Sequence, residues 1–239
     1  MTAQNRFADK LTRPVPNSRM QLGDEVGAYL RDLIMSGRLQ SGERIRLDPV
    51  AEELGISATP IREALMSLRA EGFVGQEPRT GFVVMPISAD DVRDLFGVQA
   101  TLAGELAARA CGALDASALE RLRYHQRQLS VAYQVADLEQ IAVENHRFHR
   151  EINLAAGSPK LTWLLGILTR YSPRRFYATI EGWPKASLED HDNILAALQR
   201  ADSEQAREAM RTHITHAGDL LVTHLEATEL ARSRSGTDT

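Results

Sequence analysis

The chain has 239 residues, 25% of them charged and 43% hydrophobic. That is material for one large or two ordinary globular domains, and too apolar for a disordered chain. The net charge of −4 argues against a uniformly basic nucleic-acid binder.

The charge is unevenly spread. Residues 1–85 carry eleven Lys/Arg and eleven Asp/Glu, whereas residues 86–239 carry seventeen and twenty-one, so the whole excess sits in the second part. The first nineteen residues hold Arg6, Lys10, Arg13 and Arg19 against Asp9 alone, with Pro14 and Pro16 and no hydrophobic period. They read as a flexible basic arm, either a plain tail or a segment that touches phosphate. No apolar run reaches the roughly 18–20 residues that cross a bilayer. The N-terminus lacks the apolar segment of a secretory signal. The single Cys111 excludes an intramolecular disulfide and a Cys-rich zinc site. A cytoplasmic protein with no membrane partner is expected.

From about Met20 to Ser36 apolar residues recur at helical spacing (Leu22, Val26, Tyr29, Leu30, Leu33, Ile34), and Gly37 stops the helix. DPVAEEL (48–54) is a short helix with Pro49 in its first turn, ended by Gly55. Ser57 or Thr59 caps a third helix with Ile61, Leu65 and Leu68 on one face, and Gly72 ends it. FVGQ, EPRTG and FVVM then read as two strands around a tight turn. This order is that of a winged helix-turn-helix, over residues 20–86. After Pro86 the pattern is helical throughout. Helices run from Ser88 to about Cys111, from Asp115 to about Ala136, and from Asp137 to Gly157-Ser158-Pro159. Three more span about Leu161–Phe176 (interrupted by Pro173), Ala186–Arg200 and Asp202–Ala231, with a disordered tail over 232–239. The fold class is therefore mainly α, a winged helix-turn-helix followed by an all-helical bundle over 88–231.

In PVAEELGISATPIREALMSLRAEGFV (49–74) the turn at Gly55-Ile56-Ser57 sets two helices at a steep angle. The second can enter a major groove by its N-terminal end. Thr59 and Arg62 lie away from Leu65 and Leu68, and Arg62 can pair bidentately with guanine or grip a phosphate. The wing tip, Pro78-Arg79-Thr80-Gly81, puts an Arg and a permissive Gly where a hairpin meets backbone or minor groove. A winged helix used only for protein contacts is the competing interpretation. These residues, from about Leu22 to Met85, resemble the GntR family of bacterial transcription regulators. The likeness covers GERIRLDPVAEELGISATPIREAL (42–65) and Gly81-Phe82-Val83. It implies a homodimer on a near-palindromic double-stranded DNA operator, read through Arg44, Arg46, Ser57, Thr59, Arg62, Arg79 and Gly81. Members usually carry an Arg directly after the Ser of the turn. Here that position is Ala58, so Arg62, Arg79, Arg44, Arg46 or the arm must compensate.

In the second part Asn145 and His149 are four apart and share a helix face about 6 Å apart in rise. His191 and His213 lie in two further predicted helices. Three imidazoles and a side-chain oxygen suit a divalent ion, although buried histidines are more often hydrogen-bonded core residues. ENHRFHREINLAAGSPKL (144–161), EDHDNILAAL (189–198) and AREAMRTHI (206–214) resemble the ligand-binding FCD domain of FadR-type regulators. That resemblance implies a metal held at Asn145, His149, His191 and His213 (Zn²⁺, Ni²⁺ or Mn²⁺), with Asn145 standing where the family has Asp. It also implies a small effector, an organic acid, and relief of repression by that ligand. LFGVQATLAGELAARA (95–110) resembles the domain's first helix, but Gln99 and Ala103 replace its usual Arg and Glu. Gln99, Arg147, Arg170 and His216 are the effector-pocket candidates, with Arg150, Arg174 and Arg175 as further cations. His125 and His224 have no obvious partners, and Trp163 and Trp183 read as packing residues, although Trp183 sits between Gly182 and Pro184 in a loop near a pocket mouth. Two alternatives remain, a regulator whose effector is the ion itself and a metal-dependent hydrolase.

Overall fold

The computed structural model describes residues 19–77, 81–172 and 174–235. The basic arm up to Ser18, the wing tip with Arg79, Pro173 and the last four residues lie outside them. The chain divides into two compact units between Ile87 and Ser88.

In the first unit α1 (Arg19–Met35) buries Val26, Leu30 and Leu33, a helical i, i+4, i+7 stripe, and packs on α3. Strand β1 (Arg44–Ile45) leads directly into α2 (Leu47–Leu54). Gly55 closes α2 in the left-handed region at φ 66°, where a side chain would be strained, and this sharp exit aims the chain into α3 (Ala58–Ala70). Ile61, Ala64, Leu65 and Leu68 of α3 face the core. Strands β2 (Val74–Glu77) and β3 (Gly81–Val84) form the hairpin, and the antiparallel sheet has the order β1-β3-β2. Phe82 and Val84 point inward while Gly81 and Val83 are half-buried, the alternation of a one-sided sheet. The unit is a winged helix-turn-helix. Strand β1 was not anticipated: two residues are too short for a period to show.

The second unit is entirely helical among its described residues. Ser88 and Asp91 form a capping box on α4 (Ala89–Ala110), while Asp115 and Asp137 cap α5 (Ala116–Gln134) and α6 (Leu138–Ala155). Next come α7 (Pro159–Leu168), a 3₁₀ turn (Thr169–Tyr171) and α8 (Arg174–Tyr177), then α9 (Trp183–Gln199) and α10 (Ser203–Ser235). The predicted fourth helix is thus three shorter pieces, and the last one runs past Ala231. Trp183 packs in the interior as expected, 5% exposed, but as the first residue of α9 rather than in a loop, whereas Trp163 is 63% exposed and does not pack. Leu106, Leu122, Phe148, Ile152, Ile194, Leu198 and Met210 make the core. Helices α4 and α10 run close together at Gly104, where a Cβ would stand 2.9 Å from the Arg207 carbonyl oxygen.

Candidate functional site

The sequence candidates of the first unit gather around the start of α3 and the sheet. Ser57 is the N-cap of α3 by position, yet its hydroxyl makes no capping bond, and the first turn of α3 holds no acidic residue. That leaves the hydroxyl and the positive end of the helix open to a phosphate. Thr59 and Arg62 are exposed on the side away from the core, and Ala58 is half-buried. Arg46 is exposed at the N-cap of α2. Arg44, on β1, pairs with Glu77 of β2 at 3.4 Å, both side chains being about half exposed. Gly81 has φ 100°, and a Cβ there would come 3.3 Å from the Ile45 carbonyl oxygen, so glycine fits this edge of the wing.

In the second unit His149 of α6, His191 of α9 and His213 of α10 converge. His149 Nε2 lies 3.1 Å from His213 Nε2 and 3.3 Å from His191 Nε2, and the three ligand atoms fall within 4.8 Å of one another. Two nitrogens held at about 2.1 Å by one cation, at angles between about 90° and 109°, stand about 3.0–3.4 Å apart. The two separations from His149 fall in that range, while the His191–His213 pair, bounded at 4.8 Å, would close slightly around an ion.

The protons can be placed from the outer contacts. The Gln126 amide nitrogen donates to the Leu188 carbonyl and to Asp192 at 2.9 Å each, so its oxygen is the acceptor for His191 Nδ1–H at 3.1 Å. His213 Nδ1–H donates to the Asp190 carboxylate at 3.4 Å. Both rings therefore turn bare Nε2 lone pairs inward, and a neutral His149 could supply a proton to only one of them. Burial, reinforced by the positive charge that His213 would carry, holds His149 and His191 well below the ordinary histidine pKa. Burial thus disfavours a second proton on His149 or His191, and the space between the lone pairs is one that a cation could occupy. Phe148 stacks on His191 at 4.0 Å and fixes that ring.

Asn145 is joined to this triangle through Ser187. The Ser187 hydroxyl, fully buried, donates to Asn145 Oδ1 at 3.2 Å and stands 3.5 Å from His191 Nε2. His216 is half exposed and bonds Asp190 through Nδ1 at 3.1 Å, so it reaches His213 only through that carboxylate. Burial would raise the Asp190 carboxyl, but the hydrogen bonds and charges of His213 and His216 outweigh it and leave the pKa lowered. Arg147 instead binds Glu144 at 2.7 Å. His125 does have a partner, the same Glu144 at 2.7 Å. Arg170 is exposed on the 3₁₀ turn. Gln99 is buried on α4; its oxygen accepts from Ser172 at 3.4 Å, while its amide nitrogen has no hydrogen-bond partner. Burial raises the Tyr177 hydroxyl's pKa, and a hydrogen bond with the same Ser172 partly opposes that rise.

Sequence reasoning missed Asp190, Ser187 and Gln126. Ser187 was readable, because it precedes His191 by four residues, the spacing that singled out Asn145 and His149. Asp190 adjoins His191, but nothing in the sequence shows that it faces His213 and His216.

Residues 22–84 match the gntR family of bacterial regulatory proteins, and residues 94–216 match the FCD domain. The chain is 28% identical to the HTH-type transcriptional regulator BphR of Paraburkholderia xenovorans over 222 residues, 90% of each chain. It is also 28% identical to the HTH-type transcriptional regulator McbR of Escherichia coli, over 76% of this chain and 84% of that one. The solved structure of E. coli McbR superposes with a TM-score of 0.69 at 25% identity, covering 85% of this chain and 98% of that one. No described helix is long and apolar enough to cross a membrane. Two matched domains in this order place the chain in the GntR family of bacterial transcription regulators, with an FCD domain behind its winged helix, and make it a DNA-binding regulator rather than an enzyme.

Proposed function

We propose that this regulator is a cytoplasmic, homodimeric, metabolite-responsive repressor whose FCD domain holds a divalent cation. Two winged helices related by a twofold axis would read the half-sites of a near-palindromic operator, with Ser57, Thr59 and Arg62 at the groove. Arg44, Arg46, Gly81 and, outside the described residues, Arg79 would meet the backbone. His149, His191 and His213 would hold the ion, with Asn145 as an oxygen donor. The ion would supply positive charge and open positions for a small organic acid. Gln99 favours such a ligand, because its unpartnered buried amide nitrogen can donate to a ligand oxygen. The effector shifts the equilibrium only if it binds one arrangement of the heads better than the other.

The observation that carries the cation is the placement of His191 Nε2 and His213 Nε2, whose Nδ1 atoms are taken by Gln126 and Asp190, at 3.3 and 3.1 Å from His149 Nε2. Purified protein should contain near-stoichiometric Zn²⁺, Ni²⁺ or Mn²⁺ by elemental analysis. The double substitution His149→Ala with His191→Ala should empty the site, and a chelator should then lower the melting temperature of wild type alone. Metal bound only to the folded state contributes about 2.7 kcal/mol at a free concentration 100 times its Kd. Asn145→Asp should tighten binding, because a carboxylate attracts a cation more than an amide does. Metal-free protein that is destabilised by Asn145→Asp would instead mark a hydrogen-bonded histidine core. Operator affinity that follows metal content alone would make the ion itself the effector.

A further inference from the structure

The cation-facing atoms proposed above carry no negative charge of their own: three are imidazole nitrogens and the fourth is an amide oxygen. An ion seated among them would keep both positive charges in a buried setting, which is costly without compensation. Two buried carboxylates belong to the surrounding layer. Glu144 precedes Asn145, but its oxygens are taken by His125, Gln140 and Arg147, and the Arg147 guanidinium at 2.7 Å offsets its charge. Asp190 is paired with no Arg or Lys among the described residues, only with two histidines that are cations when protonated. Its side chain is 10% exposed, and its oxygens are bonded to His213 Nδ1 at 3.4 Å and to His216 Nδ1 at 3.1 and 3.2 Å.

The contact with His213 acts through the ring. An Nδ1–H donated to a carboxylate fixes the tautomer, leaves Nε2 as the lone pair and makes that nitrogen a stronger donor to a cation. His191 has only a neutral amide, that of Gln126, in the corresponding place. The contact with His216 acts on the carboxylate. His213 and His216 are three apart on α10, so one face of that helix grips Asp190 of α9 from two sides.

We infer that Asp190 is the positioning residue of the cation centre: it holds His213 through Nδ1 and supplies, one layer out, the negative charge that Asn145 lacks, with His216 as its brace. This rests on the cation centre proposed above. The affinity of the full chain for Co²⁺ and Zn²⁺, measured by competition with a chromophoric chelator near neutral pH, tests it. Asp190→Asn should weaken binding about 10- to 100-fold, the range for losing an outer partner of a ligand. His216→Ala should weaken it less. Adding Asn145→Asp to Asp190→Asn returns the charge to the centre and should recover most of the loss. A double variant as weak as Asp190→Asn alone would show that Asp190 serves packing and overturn the charge assignment.

If wild type binds neither ion, the cation centre falls. If wild type binds and Asp190→Asn binds equally well, the centre stands and the role of Asp190 is overturned. Should Asp190→Asn fail to fold, long-range proton–nitrogen correlation spectra of the wild-type imidazoles decide. His213 protonated at Nδ1 supports the inference, and His213 protonated at Nε2 overturns it.

Discussion

The two units bury different chemistry. Among the described residues the winged helix buries few polar side chains, Asp32 and the Glu71 carboxylate with its Arg31 partner, beside an apolar core of Val26, Leu30, Ile61, Leu65, Leu68 and Phe73. The helical unit buries Gln99, Gln126, Glu144, Ser187, Asp190, His191 and His213. Each of those needs a partner to offset its lost hydration, and a network costs stability wherever it is incomplete. An apolar interior leaves the winged helix's polar chemistry on its surface, as a module that docks on DNA requires. The helical unit concentrates polar groups inside, the arrangement that the proposed enclosure of a small ligand would need.

The largest expected effect breaks function on the surface without touching the core. Arg62 is exposed, makes no ion pair with the described residues and lies on the side of α3 away from the core, where we propose that DNA docks. Arg62→Ala should cost roughly 1–3 kcal/mol of operator binding per subunit, or about 2–6 across a dimer if the two sites add. Its melting temperature should match wild type. A gel-shift titration on a mapped operator that shows unchanged affinity would remove Arg62 from the reading surface.

The second prediction sharpens the contrast through pH, because all seven histidines lie in the helical unit. His149 and His191 are held below their ordinary pKa by burial and by neighbouring histidines. In metal-free protein they stay neutral while the unfolded chain takes up protons below about pH 6.5. The unfolded state then binds more protons, so stability is fully present above that pH and is lost as pH falls below it. The loss is about 1.4 kcal/mol per pH unit for each histidine that stays neutral. Hydrogen-exchange protection, read segment by segment on the chelated full chain, should fall with acidification in α6, α9 and α10. Removing both rings with His149→Ala and His191→Ala should flatten that dependence. An equal loss in the double variant would assign the effect to other groups.

Local signals made most of the fold legible before any coordinates. Gly55, Pro60 and the Leu65/Leu68 stripe mark the helix-turn-helix, and Ser88, Asp115 and Asp137 cap the helices they precede, because caps and periods act within a few residues. The two-residue β1 has no period, and its pairing with β3 spans nearly forty residues of chain. The same division holds at the candidate site. Asn145/His149 spacing was readable on one helix. Which partners orient His191 and His213 depends on α5, α9 and α10 coming together, a property of packing. His125 and Glu144 lie nineteen residues apart on different helices, and no local pattern joins them.

The smallest expected effect adds function to the surface. Ala58 is the first residue of α3 and half-buried, one position after the uncapped Ser57 hydroxyl. A long cationic side chain there would extend from the positive end of the helix toward the phosphates that Ser57 and Thr59 are proposed to approach. Ala58→Arg should add about one phosphate contact per subunit. For duplex DNA each contact changes the slope of log K against log salt by about 0.9, so a dimer should steepen by about 1.8. Affinity should rise at low salt and converge with wild type as salt increases, because counterion release supplies the gain. Discrimination between operator and random duplex should stay nearly constant, since a phosphate contact carries no base information. Fluorescence-anisotropy titrations at several salt concentrations read both quantities. An unchanged slope would mean that position 58 faces away from DNA and that the winged helix docks by a different edge. A steeper slope with altered base preference would instead place the new Arg in the groove, where Arg62 is proposed to act.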